Sequence, residues 1–150
     1  MELELEELKP KDLPEAVDLI DRSFSDAVAP ILNKEGVATF KNSLTIESLG
    51  ERLNTGNLIM VCKSAGVIIG VAEVRDENHL NLLFVDPSKQ RSGIGRRLLD
   101  SLIDRIEHRE LTVNSSLNSI DAYAKYGFQE SGSVCEVQGI RYQPMMLKIR

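Results

Sequence analysis

Between His79 and Ile106 the spacing of apolar residues changes rule abruptly. In "HLNLLFV" they crowd together as in a buried strand. Further on, Ile94, Leu98, Leu102 and Ile106 step by four, with Leu99 and Ile103 beside them and charges opposite, which predicts an amphipathic helix. The join is "PSKQRSGIGRR", Pro87 to Arg97, with two glycines, four basic residues (Lys89, Arg91, Arg96, Arg97) and no carboxylate. A strand that enters a helix through a glycine loop leaves several backbone N–H groups unpaired, and the helix dipole adds partial positive charge there. Gly93 and Gly95 carry no Cβ to keep a bulky group away, and Arg91 and Arg96 add attraction and forked hydrogen bonds. Such a place is built for an anion, and for two linked phosphates better than one.

The rest of the chain narrows the choice. A net charge of -5 opposes a general nucleic-acid binder, which would be basic. No apolar run approaches the ~18 residues of a membrane span, so no membrane role is expected. The start, "MELELEELKPKDL", is acidic and alternating, unlike a secretory leader. Cys62 and Cys135 lie far apart without metal-ligand spacing, and His79 and His108 make no cluster, so no metal and a reducing cytoplasm are expected. With 150 residues and neither repeat nor linker, positions 1–150 read as one domain.

Along the chain, "LELEEL" alternates as a half-exposed strand. In "KDLPEAVDLIDRSFSD", Asp12 and Glu15 fit a capping box, and Leu13, Val17, Ile20 and Phe24 share a helical face. Segment 27–57 is poorly patterned: "NKEGVATF" reads as a loop entering a turn or short helix, and a helix is expected after Thr45. "NLIMVCKS" and "GVIIGVAEVR" form a hairpin about Ser64–Gly66, with "HLNLLFV" as the third strand of a meander. After the long helix come a short strand "LTVN", a brief helix "SIDAYAKY" stopped by Gly127, and a closing pair from "FQESGSVCEV" and "IRYQPMMLKI". The order predicts an α/β fold, a mixed twisted sheet of six to seven strands flanked by about four helices.

The phosphate motif can now be sorted. No Gly-Lys-Ser/Thr follows the glycines, so the P-loop and ATP are disfavoured; Leu98 occupies the third glycine position of the dinucleotide fingerprint. "QRSGIG", Gln90 to Gly95, fits Q-x-x-G-x-G and resembles the pyrophosphate-binding signature of the GNAT N-acetyltransferase superfamily. "YAKYGF" resembles that family's second signature, with Tyr123 four residues before Gly127-Phe128, and the element order is similar from end to end.

The resemblance implies acetyl-CoA as cosubstrate and an amine as acceptor. Leu83, Phe84 and Val85 would pair their main chain with the pantetheine arm. Gln90, Arg91, Ser92, Gly93, Ile94, Gly95 and Arg96 would cradle the pyrophosphate. Asn114, Ser115 and Ser116 would face the opening where a neighbouring strand splays away; the family often has asparagine where this chain has Ser116. Tyr123 would protonate the departing thiolate, its phenol pKa of ~10 suiting that role. An ammonium of pKa ~10.4 must lose a proton before attack, and His79 or Glu73 is the expected base. By the two-residue period His79, Asn81, Leu83 and Val85 share a face. Cys135 is the weaker idea of a covalent nucleophile, because no neighbour in sequence activates its thiol. The acceptor groove is expected from segment 27–57, with Gly36 and Phe40, and from "GIRYQPMML", part of which resembles small bacterial-type members of the family. A CoA-binding module without catalysis is the competing class, and the family's members allow monomer or homodimer.

Overall fold

Hydrophobic periodicity is obeyed where it was strongest. In the computed structural model, which describes residues 2–150, the four-step pattern forms α4 (Ile94–Ile103), burying Ile94, Leu98, Leu99 and Leu102. Ile106 lies past the helix end but is also buried. Each such side chain contributes roughly 1.5–3 kcal/mol.

The preceding elements are β1 (Glu4–Glu7), α1 (Leu13–Ala27), α2 (Lys34–Ser43), α3 (Ile46–Asn54), β2 (Leu58–Ser64), β3 (Val67–Arg75) and β4 (His79–Val85). Following α4 are β5 (Glu110–Ser116), α5 (Ile120–Tyr126), β6 (Gln129–Glu130), β7 (Cys135–Val137) and β8 (Ile140–Lys148). The eight strands form one mixed sheet in the order β1-β2-β3-β4-β5-β8-β6, with β7 also pairing β8. The predicted fold class therefore holds. One strand and one helix more than expected come from two places: the closing segment divides into β6 and β7, and 34–43 is a full ten-residue helix.

One face of the sheet packs against α4 around Met60, Ala72, Val74, Leu80 and Leu98, with α5 and Phe128 at its margin. The other packs beneath α1 and α3 around Leu19, Ile20, Leu49, Ile59, Val61 and Val71. The predicted capping box of α1 does not form. Asp12 makes no side-chain cap and instead accepts from Lys63 Nζ at 3.0 Å. Glu15 Oε2 accepts from the Ile68 amide at 2.9 Å, so both acids tie the helix to the sheet.

Two irregularities distort the sheet around β4. On β3–β4 the register runs Glu73 with Leu82 and then Val74 with Leu80, leaving Asn81 as an extra residue. This bulge breaks the period, so His79, Asn81, Leu83 and Val85 do not share a face as predicted. Leu83 and Val85 pack on the α4 side, whereas Asn81 reaches Glu73 and Arg75 on the other. The second irregularity is the join of β4 to β5. These parallel strands pair only at His79–Thr112 and Leu80–Val113, and then diverge.

Candidate active site

The divergence of β4 and β5 opens a cavity of about 370 Å³. Its floor is Leu80–Phe84 of β4 and Val113, Asn114 and Ser116 of β5, with Ser119 and Tyr123 of α5 alongside. The roof comes from α1, α2 and their connection through Phe24, Val28, Leu32, Thr39 and Phe40. Ile140, Arg141 and Tyr142 of β8 complete the wall. The two segments singled out in sequence, "GVATF" and "GIRYQPMML", meet here. Phe40 stacks on Phe24 with centroids 3.9 Å apart and meets Phe84 edge-on at 5.9 Å.

Roof and wall are joined backbone to backbone. A Cβ on Gly36 would stand 2.4 Å from the Gly139 carbonyl oxygen, and one on Gly139 would stand 2.6 Å from the Gly36 nitrogen. Thr39 Oγ1 donates to the Gln138 carbonyl at 2.7 Å across the same contact. On the opposite side Asn118 Nδ2 donates to the Ala27 carbonyl at 2.6 Å, linking the β5–α5 loop to the end of α1.

The glycine loop lies beyond the C-terminal end of β4 and does not line this cavity. Gly93 caps α4 in the left-handed region (φ 81°), and a Cβ there would meet nothing within 4 Å. A left-handed residue followed by right-handed ones turns successive amides toward one concave side. The first bond of α4 runs from the Arg97 N–H to the Gly93 carbonyl. Among the described residues, the amides of Ile94, Gly95 and Arg96 have no acceptor. Gly95 has a different duty. A Cβ on it would lie 2.4 Å from the Tyr126 hydroxyl, so this glycine seats α5 against α4. Arg96 is turned away from the loop, its Nη1 donating to the Tyr126 carbonyl at 3.2 Å and its Nε facing Asp100 at 3.3 Å. Gln90, Arg91 and Ser92 are exposed, and Ser92 Oγ donates to the Lys89 carbonyl.

Of the residues expected at the site, the fold brings Leu83, Phe84, Asn114, Ser116 and Tyr123 to one cavity. Val85 is outside it, and its carbonyl accepts from buried Ser23 Oγ at 2.9 Å. Ser116 Oγ bonds to Asn118 Oδ1 (3.0 Å) and Ser119 Oγ (2.9 Å). Tyr123 lies edge-on to Phe128 (5.3 Å) and Tyr126 (6.2 Å). Burial pushes its phenol well above the ordinary value of 10, with Tyr126 adding to the shift, so the hydroxyl keeps its proton.

The two expected bases are elsewhere. Glu73 is buried in β3 and holds four hydrogen bonds: Arg52 Nε (2.8 Å) and Nη2 (3.2 Å), Asn57 Nδ2 (2.9 Å) and Asn81 Nδ2 (2.9 Å). Burial alone would raise its pKa, but the bonds from Arg52, Asn57 and Asn81 together hold it below the usual 4.5. His79 stands at the apex of the divergence, Nδ1 at 2.7 Å from Thr112 Oγ1. Burial, and after it Arg75, lowers its pKa below 6.5. Neither lines the cavity, and no aspartate, glutamate or histidine does. Cys135 is exposed on β7, outside the cavity, with Sγ donating to the Ser133 carbonyl at 3.3 Å. Among the described residues no group of three potential ligands is placed to hold a metal, and no helix is long and apolar enough to cross a membrane. Sequence reading missed Arg52 and Arg141, the two charges of the wall, because a lone arginine in a polar segment carries no local signal.

Comparison with known proteins agrees with this geometry. Residues 28–149 match the family described as the acetyltransferase (GNAT) domain. The uncharacterized N-acetyltransferase YafP of Escherichia coli (strain K12) is 40% identical over 55 residues, which are 37% of this chain and 35% of that protein. The chain thus spans about a third of the length of that curated relative. A GCN5-related N-acetyltransferase from Rhodopseudomonas palustris has the same fold, with a TM-score of 0.87 at 20% identity over 99% of this chain and 96% of that one. So does the PaiA N-acetyltransferase of Thermoplasma acidophilum in complex with coenzyme A, with a TM-score of 0.78 at 17% identity over 99% of both chains.

Proposed function

Because the chain belongs to the acetyltransferase (GNAT) family, we propose that it transfers an acetyl group from acetyl-CoA to the amine of an acceptor seated in the β4–β5 cavity. The carrying observation is the divergence of β4 from β5 after two residue pairs, with the unpartnered amides of α4 at its end. Those amides, from Ile94 to Arg96, and the open backbone at Gly93 suit a diphosphate. The main chain of Leu83 and Phe84 suits an amide-bearing arm laid along β4 as a strand would be. Val85 contributes less, since Ser23 already occupies its carbonyl. Asn114 and Ser116 face the arm from β5.

Bound acetyl-CoA supplies the activated thioester. The acceptor nitrogen attacks its carbonyl carbon, a C–N bond forms, and the C–S bond breaks. Tyr123 gives its proton to the leaving sulfur and regains one from solvent. The surplus proton of the amine leaves through water, because the wall offers no carboxylate or imidazole. In this reading Glu73 is a positioning residue that fixes Arg52 and Asn81, and His79 closes the apex. The two free cysteines suit a reducing cytoplasm as the place of action.

Calorimetry with coenzyme A tests the first half: uptake by the purified chain is expected, with at least a tenfold loss in Gly93→Asp. No uptake by the unaltered protein refutes the proposal. A non-catalytic CoA-binding module is the second reading, favoured by the missing base in the wall. Thiol release from acetyl-CoA in the presence of amines separates the two, since a mere binder releases none.

A further inference from the structure

The charge of the cavity runs against that of the molecule. The chain carries a net charge of -5, yet the only charged side chains in the wall are two arginines, Arg52 and Arg141. Arg52 is committed: it forks onto Glu73 and gives Nη1 to the Ser43 carbonyl at 3.0 Å. Arg141 is not. Among the described residues it has no ion pair or side-chain hydrogen bond. Glu136 stands opposite it in the β7–β8 ladder but forms no ion pair with it and is not part of the wall. Arg141 borders both the main cavity and a smaller one of about 220 Å³ lined by Ile31, Leu32, Leu117 and Asn118. It therefore stands where an acceptor would enter.

Around this guanidinium the surface is apolar, with Leu32, Phe40, Val137 and Ile140 nearby in the wall. The Gly36–Gly139 and Asn118–Ala27 contacts close the space on two sides, so a polypeptide strand would have to break them to pass through. At about 370 Å³ the space suits a small molecule, near the lower end of the ~300–1,000 Å³ typical of such sites.

We infer that the acceptor is a small amine that also bears a carboxylate on an apolar body, an apolar α-amino acid, with Arg141 forking onto the carboxylate. This rests on the acetyl-transfer reading above. A polyamine or a lysine side chain would bring positive charge to an arginine with no acid in the wall to receive it, a like-charge penalty that selects against such acceptors. Arginine, with its planar fork, is the side chain suited to a carboxylate. The same positive field disfavours the ammonium form of the acceptor, which fits a site without a base.

The test compares acceptors that differ in one group. Thiol release from acetyl-CoA is measured for the full chain with L-phenylalanine, with 2-phenylethylamine, which lacks only the carboxylate, and with spermidine. Expected is a kcat/KM for L-phenylalanine at least tenfold above that for 2-phenylethylamine, with spermidine lowest. In Arg141→Gln the preference ratio falls toward one, chiefly through KM for the amino acid, and Arg141→Lys restores part of it. Because Arg141 is exposed, an unchanged unfolding midpoint is expected to verify that the variants fold. Equal or better use of 2-phenylethylamine or spermidine, or a ratio indifferent to Arg141, overturns the inference and leaves acetyl transfer standing. Uptake of coenzyme A with no turnover of any of the three also overturns it. No uptake of coenzyme A removes the acetyl-transfer reading itself.

Discussion

Gly36→Ala should weaken the protein even though alanine is the better helix former. The added Cβ would sit 2.4 Å from the Gly139 carbonyl oxygen, 3.0 Å from its carbon and 3.3 Å from Leu32 Cβ. Cβ atoms do not come closer than 3.0 Å, so the α2 backbone and the β7–β8 turn must part by more than half an ångström. Neither can yield easily. Asn33 Oδ1 accepts from the Gly36 amide at 2.8 Å, and Thr39 binds the Gln138 carbonyl. Overpacking of this kind costs about 1–3 kcal/mol. The relief of glycine's backbone freedom returns about 0.4–1 kcal/mol. A net loss of about 1–2 kcal/mol remains, and at ~2–4 °C per kcal/mol for this size the unfolding midpoint falls by about 3–6 °C. Gly50→Ala in α3 is the matched control. Its Cβ would meet only the flexible Leu13 Cδ1 at 3.2 Å, so it is expected to be neutral or stabilising by up to ~1 kcal/mol. Scanning calorimetry on the three proteins measures the difference. A midpoint for Gly36→Ala equal to or above the parent refutes the close-contact argument, as would identical shifts for both variants.

Tyr123→Phe keeps the ring packing on Phe128 and removes only the hydroxyl; kcat for acetyl transfer should fall by about 10²-fold with the unfolding midpoint unmoved. Near-parental turnover removes the phenol from the chemistry. Glu73 has a folded pKa below its unfolded one, so its stabilisation is complete above about pH 4.5 and is lost as pH falls through the lower folded value. Unfolding midpoints between pH 6 and 3 should drop more steeply for the parent than for Glu73→Gln, which is already weaker at neutrality because Arg52 loses its partner; parallel curves contradict the linkage. His79→Ala gives up the bond to Thr112, at a cost of about 1 kcal/mol, and should leave the pH dependence of turnover unchanged from pH 6 to 8. Disappearance of an inflection in that range would make His79 the base after all.

Much of this fold was readable because its strongest signals are local. The step of four in α4, the hairpin at Ser64–Gly66 and the stop at Gly127 depend on neighbours in sequence, and each stands where it was expected. Other features depend on residues far away. Asp12 and Glu15 have the spacing of a capping box, but Lys63 and the Ile68 amide outbid the local bonds. Helix α2 has a glycine in its first turn and a modest apolar stripe, and it takes its place from Gly139, Gln138 and Phe24. The bulge at Asn81 exists only in the register against β3, so no period in β4 could announce it. Glu73 was noticed because a carboxylate amid Val71, Ala72 and Val74 is unusual; the spacing could not say that Arg52, 21 residues earlier, neutralises it. Of the motif residues, Gly95 best separates reading from structure: the sequence marks it as essential, and the fold gives the reason as the tip of Tyr126.

The meagre join of β4 to β5 has a thermodynamic consequence. A sheet whose two halves meet through His79–Thr112 and Leu80–Val113 alone carries a seam, one that a bound arm would stitch by lending its own amides to both rims. Whatever fills the gap then becomes part of the architecture. Mass action makes resistance to unfolding grow with the logarithm of its free concentration, by about 2.7 kcal/mol at a hundredfold excess over the dissociation constant. The lifetime of the chain against proteases would then follow the supply of that ligand.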